Sequence, residues 1–194
     1  MRVAVADYGA GNLRSVCSGF ERAGAEPVVT TELRDAPLAV VAGVGNAASA
    51  AHELERRGLA DQLRDRVEAG RPVFGICLGM QLLFGESEEG GRGLGLLAGR
   101  VVRVRAQQVP HMGWNTLAVT GGEVLAGLEA EDVYFAHSFA AEGAEAIVAT
   151  VEHDGTIVAG VERDGLAGVQ FHPERSGAPG GRVLRNVLRW SSAA

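Results

Sequence analysis

Residues 73–81 read VFGICLGMQ, an apolar run that ends in a cysteine set between two glycines and passes at once into a helix-like segment. The core of the stretch, Gly75-Ile76-Cys77-Leu78-Gly79, has the layout G-x-C-x-G. It is the cysteine counterpart of the G-x-S-x-G nucleophile elbow, in which a strand turns sharply into a helix. Glycines on either side let strand and helix approach without Cβ clashes and permit a strained turn. Such a turn lifts the thiol clear of the sheet and sets it at a helix N-terminus, where a thiol pKa can fall by about one to several units. The backbone N–H of Leu78 would then face any oxyanion formed at Cys77. On this stretch alone a buried, inert core thiol is an equal alternative.

Working outward, residues 3–6 form a short apolar run that stops at Asp7, and YGAG reads as a tight turn. Asn12 is placed to cap a helix carrying Leu13, Val16, Cys17 and Phe20 at helical spacing. Residues 28–29 and 38–42 read as strands, the second ending in GVG. A helix-rich stretch over 47–69 breaks near Gly58. Residues 72–76 predict a fourth strand and 78–84 a helix. This alternation predicts an α/β fold with a mainly parallel central sheet flanked by helices. After ESEEGGRGLG (86–95) the second half turns β-rich, with short runs at 101–102, 114–119, 133–135, 147–151, 157–161 and 166–171. An amphipathic helix over about 181–190 closes the chain. No repeat, linker or boundary interrupts it, so residues 1–194 read as a single domain.

Composition narrows the function. With 194 residues and 46% hydrophobic content the chain can bury a sizeable core, and its net charge of -6 argues against a general nucleic-acid or anionic-membrane role. No run of about 18 apolar residues predicts a membrane span, and the start of the chain enters a strand directly, without the pattern of a signal peptide. Cys17 and Cys77 make no disulfide framework, so a reducing cytoplasm is the expected setting. Every basic residue apart from histidine is arginine. Schiff-base and Walker-type lysine chemistry are therefore excluded.

A thiol nucleophile needs a base, and the base an orienting group. Of five histidines, His172 stands out in VQFHPE (169–174). Residues i and i+2 of an extended segment share a face, and Pro173 favours an extended His172. His172 and Glu174 can then project together; a strand-end surface pair is the alternative reading. His52 lies on a polar helix, His153 in a hairpin-like turn, and His111 and His137 open the strings HMGWN and HSF. No Cys/His spacing fits a zinc site.

GICLGMQ (75–81) together with GVQFHPE (168–174) resembles the class I, or triad, glutamine amidotransferases, and the resemblance covers essentially the whole chain. DYGAGNLRS (7–15), PHMGWN (110–115) and HSF (137–139) are similar to the branch that forms glutaminase subunits of imidazole glycerol phosphate synthase in histidine biosynthesis. The resemblance implies a flavodoxin-like fold, with Cys77 as nucleophile, His172 as proton carrier and Glu174 as its orienter. It implies backbone donors to an oxyanion from Leu78 and from the Gly43-Val44-Gly45 loop through Val44. It also implies glutamine binding by Gly45, Gln81, Ser138 and Phe139, with no cofactor and no metal. The implied partner is a separate (β/α)8-barrel cyclase, bound as a heterodimer and supplied with ammonia, with Asn12, Trp114, Asn115 and Arg175 in the partner-facing strings. For Trp114 and Met112 ordinary core packing is the alternative. Another class I amidotransferase, a γ-glutamyl hydrolase or a catalytically quiet scaffold subunit are the competing readings of the chain.

One loop and two single residues depart from the family pattern. The loop reads AGVGNA (42–47) where the family has Pro-Gly-Val-Gly, then a small residue or His, then Phe. Loss of the proline frees a φ angle, so a more mobile loop and low basal activity are expected. Arg175 replaces a usual lysine, a change of shape at equal charge, and Phe139 replaces a common tyrosine.

Overall fold

The computed structural model describes residues 1–193. The first half runs β1 (Arg2–Ala6), α1 (Leu13–Arg22), β2 (Glu26–Thr30), β3 (Leu38–Gly43), α2 (Ala47–Arg56), α3 (Leu59–Glu68), β4 (Val73–Cys77) and α4 (Leu78–Gln81). The second half runs β5 (Phe84–Ser87), β6 (Leu97–Arg103), β7 (His111–Thr116), β8 (Ala118–Val119), β9 (Asp132–His137), β10 (Phe139–Glu142), β11 (Ile147–Glu152), β12 (Thr156–Arg163), β13 (Leu166–Val169) and α5 (Gly177–Ala193).

The main sheet has eight strands in the order β2-β1-β3-β4-β13-β12-β11-β8. β2, β1, β3, β4 and β13 are parallel, and β12, β11 and β8 extend the sheet antiparallel. Strands covered on both faces read as continuous apolar runs, and β1 does: Val3 and Val5 pack into one buried layer, Ala4 and Ala6 into the other. The first layer includes Phe20 of α1 and Trp190 of α5; the second includes Leu54 of α2 and Leu63 of α3. No helix is long and apolar enough to cross a membrane among the described residues.

Register assembles the centre of the molecule. β4 lies between β3 and β13, with Gly43 opposite Cys77 on one side and Val169 opposite Ile76 on the other. The GVG loop and the segment after Val169 therefore leave the sheet beside Cys77.

Several expectations are corrected. The helix expected over 78–84 stops at Gln81. The carbonyls of Leu82 and Leu83 accept N–H groups from Leu94 (2.8 Å), Leu96 (2.8 Å) and Leu97 (3.1 Å), which draws the chain into β5. The run over 114–119 divides at buried Leu117 into β7, paired with β9, and β8, paired with β11. Strands β5 and β10 were not expected; β6 joins them in a separate three-stranded sheet. Asn12 stands at the α1 N-cap without a side-chain capping bond, whereas Asn46 caps α2 through Ser49 N–H at 3.0 Å. The break near Gly58 is present, with Gly58 left-handed between α2 and α3.

Candidate active site

Cys77 is the last residue of β4 and stands immediately before α4, with φ 52° and ψ −110°. A non-glycine residue with positive φ stores roughly 1–3 kcal/mol of strain. Close packing holds it there: a Cβ on Gly79 would lie 1.8 Å from the Val41 carbonyl oxygen, so only glycine lets α4 pass that near β3. The thiol is buried, and Leu78 opens a helical turn whose first N–H groups have no intrahelical partner.

His172 follows β13. Its backbone N–H donates to the Tyr134 carbonyl at 2.9 Å, and its own carbonyl accepts the Ser176 hydroxyl at 2.7 Å. Its Nδ1 meets Glu174 Oε1 at 2.8 Å, with both side chains only 6% exposed. The backbone route differs from the expected extended segment: His172 is extended, but Pro173–Arg175 is a 3-10 turn that folds the carboxylate back to the ring. Among the described residues, His172 Nε2 and Glu174 Oε2 are buried without a hydrogen-bond partner. Nε2 thus falls outside hydrogen-bond geometry to the sulfur, while the thiol still acts on the ring. Burial opposes the imidazolium, but Cys77 and Glu174 outweigh it and raise the His172 pKa to about 10. The imidazolium is held beside the thiol, and a loose nucleophile–base contact is common before substrate binds.

The GVG loop is anchored at both ends. Tyr8 Oη donates to the Ala42 carbonyl at 2.9 Å, and a Cβ on Gly43 would lie 2.0 Å from that hydroxyl. Burial and the nearby Cys77 charge push the Tyr8 hydroxyl well above its usual pKa, so it stays a donor. On the far side, Asn46 caps α2 and Glu89 Oε2 accepts the Ala47 N–H at 2.6 Å. These contacts hold the loop on both sides of Val44. Val44 is half exposed above them.

Val44, Gly45, Cys77, Leu78, Gln81, Ser138 and Phe139 line one cavity of about 210 Å³. Drug-sized sites span roughly 300–1,000 Å³, so this one suits a single amino acid. All four residues expected to bind glutamine are brought together there with the nucleophile. His172 and Glu174 border a separate space of about 20 Å³, shared with Asn12 and Val44. A larger cavity, about 560 Å³, is lined by His52, Arg64 and Arg92 among others. It lies away from Cys77 and the His172–Glu174 pair, and we place no chemistry in it.

The family model for class I glutamine amidotransferases matches residues 4–189. The chain belongs to this family. It is 46% identical to imidazole glycerol phosphate synthase subunit HisH of Geobacillus thermodenitrificans, the alignment covering 96% of this chain and 94% of that one. It is 43% identical to the subunit of the same name from Methanothermobacter thermautotrophicus, over 96% and 97% of the two chains. Among solved structures, a glutamine amidotransferase superposes with a TM-score of 0.78 at 24% identity, covering 98% of each chain. A PurLQS structure from Thermotoga maritima gives 0.79 at 23% identity, covering 97% of this chain and 98% of that one. These two likenesses establish the amidotransferase fold.

On this amidotransferase, Trp114 and Met112 are 59% and 60% exposed, which overturns the core-packing alternative. Trp114 meets Tyr134 edge-on at 6.0 Å, and the Arg175 guanidinium lies 4.3 Å over the Tyr134 ring. Asn115 is half-buried behind them, its Nδ2 donating to the Glu152 carbonyl at 2.9 Å. Asn12 is exposed beside the small cavity and stands outside this aromatic stack. Sequence reasoning missed Tyr8, Glu89 and Gln170, and placed His137 in a string without giving it a role. Tyr8 and Gln170 lay inside quoted strings, but nothing in their spacing marked them. Glu89 lay in ESEEGGRGLG, which marked only the point where the chain turns β-rich.

Proposed function

We propose that this chain is the glutaminase subunit of an imidazole glycerol phosphate synthase. It hydrolyses glutamine to glutamate and ammonia, and the ammonia goes to a (β/α)8-barrel cyclase bound as a heterodimer in the cytoplasm. The observation that carries the reading is Cys77, held on a strained turn between a single-amino-acid cavity and the His172–Glu174 pair. Near-full-length similarity to HisH subunits supports the partner.

The chemistry follows from these groups. The Cys77 thiolate forms a bond to the side-chain amide carbon of glutamine, and the carbonyl π pair moves onto oxygen. Backbone N–H groups of Leu78 and Val44 receive that charge; losing one such donor costs on the order of 10² to 10³ in rate. Collapse of the tetrahedral species re-forms the carbonyl and breaks the C–N bond. The departing nitrogen takes the proton of the His172 imidazolium and leaves as ammonia. Water then adds to the thioester, giving its proton to His172, and the Cys77 thiolate leaves as glutamate forms. Glu174 holds the ring in one orientation and stabilises its charge throughout. Gly45, Gln81, Ser138 and Phe139 hold the substrate. The small space bordered by Asn12, Val44, His172 and Glu174 shares Val44 with the substrate cavity and suits the exit of ammonia. Trp114, Asn115 and Arg175 form the docking face.

Glutamate release from glutamine, measured with and without the barrel cyclase and its nucleotide ligand, tests the proposal. Strong stimulation by the partner that vanishes in Cys77→Ala is expected. A Cys77→Ala variant as active as the wild type would refute it.

A further inference from the structure

Gln170 is fully buried between Cys77 and Gln81. Amide oxygen and nitrogen are distinguished by their partners, and here the partners fix them. The Phe139 carbonyl can only accept, so the Gln81 atom 2.7 Å from it is the nitrogen, Nε2. That nitrogen also contacts Gln170 at 3.1 Å, so the Gln170 atom facing it is the oxygen. The other end of the Gln170 amide must then be Nε2, and it stands 3.6 Å from Cys77 Sγ, its N–H directed at the sulfur.

The same logic runs outward. Asn115 Nδ2 donates to the Glu152 carbonyl, so it presents an N–H to His111 Nε2 at 3.2 Å. His111 must then carry its proton on Nδ1 and donate it to His137 Nε2 at 2.9 Å. His137 in turn donates from Nδ1 to the Phe139 carbonyl at 2.8 Å. Each link allows one direction only while both rings are neutral. Burial lowers both histidines to about 4, with His153 adding to the effect on each and His111 and His172 on His137.

We infer that Gln170 is a further catalytic residue: its side-chain N–H donates to the Cys77 sulfur and holds negative charge there. The inference rests on the reading of Cys77 as nucleophile. Thiolate is present before attack and again when the thioester is hydrolysed, and a donor fixed in advance stabilises both without reorganising. Gln81, with both N–H groups used, faces the cavity as an acceptor only. It therefore links the substrate pocket to the orientation of Gln170.

The test is the pH profile of Cys77 alkylation by iodoacetamide, in the full chain with Cys17→Ala removing the second thiol. Gln170→Met removes the donor at similar length and Gln170→Leu at shorter length. Each is expected to slow alkylation at pH 7 about ten-fold and to move its midpoint to higher pH, as loss of one hydrogen bond to a charged group implies. A purely structural role would leave that midpoint in place, and an unchanged profile in both folded variants overturns the inference. A measurement on the unmutated Gln170 guards against misfolding. In the 15N-labelled chain its side-chain amide signal should titrate with the alkylation midpoint and lose that titration in Cys77→Ala. An amide signal indifferent to the thiol also overturns it. Glutamate release is read separately: a chain with no glutaminase activity but a Gln170-dependent thiol refutes the proposed function and supports the hydrogen bond.

Discussion

In the proposed mechanism Glu174 acts on glutamine only through His172. Its carboxylate, 2.8 Å from Nδ1, is one of two groups that keep the imidazolium against the cost of burial. The His172 pKa is raised in the folded chain, so the stabilisation it brings is fully present below the ordinary histidine value and is lost as pH rises through about 10. Glu174→Gln removes the charge and keeps the shape. The imidazolium should then deprotonate at lower pH, and turnover at neutral pH should fall by about 10² to 10⁴, the range for a mispositioned acid–base group. A pH–rate profile of kcat/KM checks this; an alkaline limb in the same place as the wild type would contradict it. Glycine flanks at Cys77 and the two-residue spacing of His172 and Glu174 mark them locally, but each left a bland alternative open until the family resemblance was added, and the extended route expected from His172 to Glu174 is a 3-10 turn. Tyr8, Glu89 and Gln170 carry no such mark. Gln170 reaches Cys77 from 93 positions away and Tyr8 reaches Ala42 from 34, contacts that exist only once the strands are in register.

The elbow between β4 and α4 is decided by space. A methyl group at Gly79 would have to displace the Val41 carbonyl of β3. Gly79→Ala is expected to destabilise the chain by about 3 kcal/mol, the upper part of the range for overpacking, and to reduce glutaminase activity in what remains folded. Urea unfolding reads the first effect, and a wild-type midpoint would contradict it. The parallel half of the sheet was legible because strands buried on both faces give unbroken apolar runs, as in Val3–Ala6 and Leu38–Ala42. The length of α4 was not, because Leu82 and Leu83 spend their carbonyls on a distant loop. Phe84–Ser87 and Phe139–Glu142 escaped notice because four residues with little alternation give no period to read.

At the scale of the molecule, the sheet divides the labour. The parallel strands converge on Cys77, and the separate β7–β9 pair carries the exposed face around Trp114 and Met112. The hydrogen-bonded line from Asn115 through His111, His137 and Phe139 connects that face to the cavity beside Cys77. The family resemblance foresaw both ends of this line, since PHMGWN and HSF carry it. It did not foresee the line itself, because β7 and β9 pair across a long connection. The most direct test of the whole account is the mass of the chain quenched in acid during turnover of glutamine, in the presence of the barrel cyclase. The account predicts one glutamyl group in thioester linkage, confined to the peptide that carries Cys77. Glutamate release at full rate with Cys77 never modified would contradict it.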